Sequence, residues 1–187
     1  MTLVASNGRG HLYAHLFENR AANVPRGLYW NLSLPCAPIR WDGADWDCLV
    51  QCEWLAWQLA DWASLDGASL QTLAAPDLVE CSVHFSEHHA VRLSSLALTR
   101  VPGRTRFVVE LSGAFDLDGY EALDADDIPL RLVAEVDFDG EVVVPDNLVP
   151  KPASDADATR AVAPFLGVDS LAAPQWDRFR YVLKPAA

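Results

Sequence analysis

The residues that could do chemistry in this chain are histidines, acids, cysteines and tryptophans gathered in a few places. His84, His88 and His89, with Glu87 among them, place three imidazoles and a carboxylate at a strand end and the turn after it. Such donors suit zinc, so these histidines are the candidate ligands of a metal-dependent hydrolase, although their spacing matches no established ligand pattern. His11 and His15 are four apart, but Leu12 stands where the HExxH motif of a zinc protease requires glutamate. Asp116, Asp118, Asp124 and Asp126 crowd one acidic stretch. Glycine and glutamate are not at the positions an EF-hand demands, so the stretch reads as a loop able to meet a basic partner. A nucleophile-elbow GxSxG, a phosphate-binding GxxxxGK[ST] and a dinucleotide-binding GxGxxG are all absent, and the sequence implies no cofactor.

The densest segment is Asp45–Trp62, DWDCLVQCEWLAWQLADW. Set on a wheel at about 100° per residue, it gathers Asp47, Gln51, Gln58 and Asp61 on one narrow stripe, with apolar residues almost everywhere else. That predicts a helix wrapped on most sides by protein. Its charges disfavour a membrane span. Glu53 falls on the apolar arc beside Leu49, Val50 and Trp57, where a carboxylate must find a partner or shift its pKa upward. It is the candidate acid or base, at a pocket also lined by Trp57 and Phe107. Trp54 lies within the polar stripe and Trp62 at its edge, so both are candidate binding residues, tryptophan being frequent at interface hot spots. Cys48 and Cys52 share the apolar side and read as core residues.

The elements expected to position these groups follow from periodicity. Residues 1–40 are irregular, with a short helix over His11–Ala22 and a strand over Gly27–Leu34. A long helix is expected over 41–66, ending at Gly67, where glycine suits a helix C-terminus. Over 78–145 the period changes to two. Val79, Cys81, Val83 and Phe85 alternate with polar residues, Ser94-Ser95 suggests a bulge, and Asp139-Gly140 suggests a tight hairpin. The outward face of that meander would carry Glu80, His84, Arg106, Glu110, Arg131 and Glu135, whose mixed signs suit cross-strand pairs. Residues 153–187 are expected to supply a helix capped by Ser154 and a final strand over Phe179–Leu183. The predicted fold is a single α+β domain, an antiparallel meander of five or six strands with the tryptophan helix packed on one face.

Composition narrows the partners. The chain has 187 residues, 51% of them hydrophobic, with a net charge of −12 and a pI of about 4.6. That charge opposes nucleic acid and anionic membrane surfaces and allows a basic protein partner. With no basic segment followed by an apolar run at its start, and few cysteines, the chain is expected to be cytoplasmic with free thiols. The functional expectation is a non-enzymatic binding protein of the immunity-protein or chaperone type. The alternatives are a small-molecule pocket around Glu53 and, third, the histidine-based hydrolase.

Overall fold

A computed structural model describes residues 3–6, 8–115 and 128–186. Its centre is a closed barrel, not the expected α+β layer. Seven strands follow one another around it: β1 Gly10–Asn19, β2 Val24–Trp41, β3 Ala44–Leu55, β4 Glu80–Phe85, β5 Glu87–Arg100, β6 Arg106–Phe115 and β7 Ile128–Val143. Each pairs antiparallel with the next, and β1 closes the sheet against β7 in parallel. The parallel seam follows from number. In an up-and-down series the first and seventh strands run the same way, so they can close only in parallel. A short hairpin, β8 Gln175–Asp177 and β9 Arg180–Leu183, extends the sheet from the outer end of β7.

Alternation sends one side chain in two to the axis. Leu12, Ala14 and Leu16 of β1, Leu28, Trp30, Leu32 and Leu34 of β2, and Phe107, Val109 and Leu111 of β6 are all buried. The outward face of the meander is charged: Arg106 bridges Glu135 and Asp137, each at 3.0 Å. On β6 and β7, then, apolar side chains face the axis and charged ones face outward, the inverse of the lipid-facing pattern of a membrane barrel. Among the described residues no helix is long and apolar enough to cross a membrane.

The largest correction concerns the tryptophan segment. It is not a helix over 41–66: Ala44–Leu55 is strand β3, hydrogen-bonded to β2 and β4 on its two edges. Cys48, Val50 and Cys52 point inward at period two, and Asp, Trp, Cys and Val are indifferent helix formers. The alternation then breaks, because Glu53 and Trp54 together face the single Asn31 of β2. This is a β-bulge, with Trp54 at φ +61°. His11–Ala22 is likewise no helix; most of it is β1. Its outward Tyr13, His15 and Phe17 are half-buried, so an apolar or aromatic residue stands at nearly every position and the period of two is hidden.

Other expectations stand. Leu93–Ser95 of β5 carries a register shift, and α1, Asp155–Val162, is capped by the Ser154 hydroxyl, which accepts from the Asp157 amide. Asp139-Gly140 is not a hairpin. It is a bulge inside β7, and Glu141–Val143 continue the same strand.

Candidate functional site

One end of the barrel is filled by two segments, the β3–β4 connection (residues 56–79) and the chain around α1. Asp61 caps a 3-10 turn at Trp62–Leu65 by accepting from the Ser64 amide. This turn drives Trp62 into the core, stacked on Phe138 at 5.6 Å between ring centres. The Arg100 guanidinium lies over the same ring, 4.5 Å from its centre. The Trp62 indole N–H donates to the Ser170 carbonyl at 3.1 Å. Trp62 is thus a plug residue with its polar atom satisfied, not a free platform.

The same packing leaves a cleft of about 680 Å³ beside the plug. The start of β2 gives Arg26, Leu28 and Tyr29, the chain after β3 gives Trp57 and Leu59, and the turn after α1 gives Phe165. Two hydrogen bonds fix the walls. The Trp57 indole N–H donates to the Ser69 carbonyl at 2.8 Å, and the Tyr29 hydroxyl donates to the Pro25 carbonyl at 2.8 Å. Burial pushes the Tyr29 pKa up, so this phenol is a neutral wall. Arg26 is half-buried, and among the described residues no carboxylate pairs with it. Arg26 also lines a smaller pocket with Lys151, Asp157 and Arg160; Arg160 pairs there with Asp157, and Lys151 pairs with Asp146. A cleft at a barrel mouth, with aliphatic and aromatic side chains on its walls and a cation among its lining, has the form of a small-molecule site.

A second cleft of about 810 Å³ lies over the outer faces of β1, β7 and the β8–β9 hairpin. Tyr13, His15, Val142, Trp176, Arg180 and Lys184 are among its lining. Its signs are mixed and partly spent: Arg180 pairs with Asp177 at 3.2 Å and His11 with Asp139 at 2.8 Å. Burial, then the Arg180 charge, lowers the His15 pKa.

The residues singled out from the sequence do not converge. Glu53 sits half-buried on the outer face of β3, opposite Glu80 of β4; it lines neither cleft, although its charge acts on Tyr13, which lines the second. The pocket expected around it has no helix to form its wall. Trp57 does line a cleft, whereas Phe107 is fully buried in the core. Trp54 packs against Phe17 and Tyr29, at 5.0 and 5.5 Å between ring centres. The histidines divide between faces. His84 and His88 meet across β4 and β5 as a tilted ring pair, 4.6 Å between centres, while His89 is buried beside Phe85 and Phe115. Among the described residues no group of three or more His, Cys, Asp or Glu could hold a metal ion. Asp116, Asp118, Asp124 and Asp126 lie outside the described residues. Arg26, Tyr29 and Phe165 were not singled out from the sequence. Their only local signal is Pro25-Arg26-Gly27 ahead of a strand, which marks a boundary and not a site.

No protein-family model, no curated protein and no solved structure matches this chain.

Proposed function

We propose that this chain is a binding protein for a small amphipathic anion, held in the cleft at the plugged end of the barrel. The observation that carries the reading is Arg26, a cation without a carboxylate partner among the described residues, in the lining of a cleft with Leu28, Trp57, Leu59 and Phe165. The volume, about 680 Å³, falls within the range of roughly 300–1,000 Å³ typical of small-ligand sites. The apolar walls would take an alkyl or aryl body. The guanidinium would take a carboxylate or phosphate, for which its planar fork is well matched. A basic protein partner remains a reading of the net charge of −12.

The test is calorimetric titration with decanoate, with decanol as the uncharged control. Decanoate is expected to bind one to one and to perturb tryptophan emission, a change lost in Trp57→Phe. Arg26→Ala should weaken decanoate by roughly tenfold to a hundredfold, the worth of a charge-assisted hydrogen bond, and leave decanol unaffected. Ala75→Phe, which fills the cleft, should abolish both. Decanoate binding that ignores Arg26→Ala and Ala75→Phe would overturn the reading.

A further inference from the structure

The four cysteines of the chain are all free thiols and all buried. The barrel register pairs every one of them. Cys36 of β2 stands directly opposite Cys48 of β3, and Cys52 of β3 directly opposite Cys81 of β4. The Cys52 and Cys81 sulfurs are 2.9 Å apart. Directly opposed residues in an antiparallel pair have Cα atoms about 4.5–5.5 Å apart, within the span a disulfide bridges. The two pairs are separate sites. Cys48 and Cys52 are four residues apart on one strand, which is about 13 Å at strand rise, too far to share one tetrahedral metal.

We infer that Cys36–Cys48 and Cys52–Cys81 are two redox-active thiol pairs that convert to cross-strand disulfides, stapling β3 to both of its neighbours. The oxidant is a small-molecule disulfide such as oxidised glutathione. Within a pair one thiol loses its proton, attacks a sulfur of that disulfide and expels one thiolate, leaving a mixed disulfide. The partner cysteine, giving up its own proton, then attacks the protein sulfur and expels the second thiolate. Two electrons and two protons leave each pair, and the small disulfide departs as two thiols. The inference is independent of the ligand cleft.

The test refolds the reduced, denatured chain in mixtures of oxidised and reduced glutathione, followed by acid quench, intact mass and peptide mapping. The expected product has lost four hydrogens, two per disulfide, and yields only the linked peptides Cys36–Cys48 and Cys52–Cys81. Cys81→Ser should keep the first linkage and leave Cys52 free, and Cys36→Ser should keep the second. Each bridge should raise the folded-to-unfolded ratio about a hundredfold, read from urea titrations of the oxidised and reduced chain. Scrambled linkages, glutathione adducts that persist without resolving, or four free thiols in excess oxidised glutathione would each overturn it.

Discussion

Glu141 carries a carboxylate to the barrel axis. It is fully buried, and neither oxygen has a hydrogen-bond partner. In the strand register it lies opposite Ala14, which in turn lies opposite Trp30, whose indole N–H is also buried and unpartnered. Burial lifts the Glu141 pKa from 4.5 to about 8. Because the folded value is the higher one, the stability tied to its neutral form is fully present below pH 4.5 and is lost as pH rises through 8. The loss is on the order of 5 kcal/mol. Urea midpoints should therefore fall from about pH 5 to pH 9, and Glu141→Gln should flatten that fall and exceed the parent at the alkaline end. Parallel curves would exclude Glu141 as the titrating group. The sequence hides this residue because a bulge and a hairpin both recruit Asp-Gly for its positive φ, here +102° at Gly140. As a hairpin, Asp139-Gly140 would start a return strand; as a bulge it turns Glu141 inward.

At the scale of the element, β3 shows why strand and helix were confused. Cys48, Val50 and Cys52 keep the strand period, but Leu49 on the outward face is also apolar, and the bulge at Glu53-Trp54 puts Leu55 inward instead of Trp54. Apolar residues on both faces and one phase slip resemble a helix with a narrow wet stripe. The strands from β4 onward were legible because their outward faces carry charge, as in Arg106 opposite Asp137. The bulge makes a prediction of unusual sign. In an ordinary strand interior glycine is the less stable choice than alanine by about 0.5–1 kcal/mol. At Trp54, with φ +61°, the left-handed backbone strains alanine, so Trp54→Gly should be more stable than Trp54→Ala by about 1 kcal/mol. Both should fall below the parent, having lost the contacts with Phe17 and Tyr29. Thermal denaturation of the two variants reads the order directly, and alanine above glycine would count against the bulge.

For the whole molecule the decisive feature is closure, which no local pattern announces. The parallel β1–β7 seam joins residues more than a hundred positions apart, Leu16 to Val143 for example, and its alternation is the same as that of any open sheet. The candidate cleft is equally non-local, since the walls on β2, after β3 and after α1 meet only when the barrel is shut. One backbone position beside the seam admits no side chain. β7 keeps β1 on one edge while its partner on the other edge changes from β6 to β9, and Gly140 lies at the change. A Cβ there would stand 2.3 Å from the Leu183 carbonyl oxygen, backbone against backbone, at a φ of +102°. The Lys184 Cα would be 2.9 Å away, and neither neighbour is a flexible side-chain end that could yield. Gly140→Ala should therefore cost about 3 kcal/mol or more. Hydrogen exchange should place the loss on both sides of β7, with faster exchange in Leu12–Leu16 and in Arg180–Leu183 and with β2–β3 amides protected until global unfolding. Faster exchange confined to β9 would mean that the seam closes without Gly140.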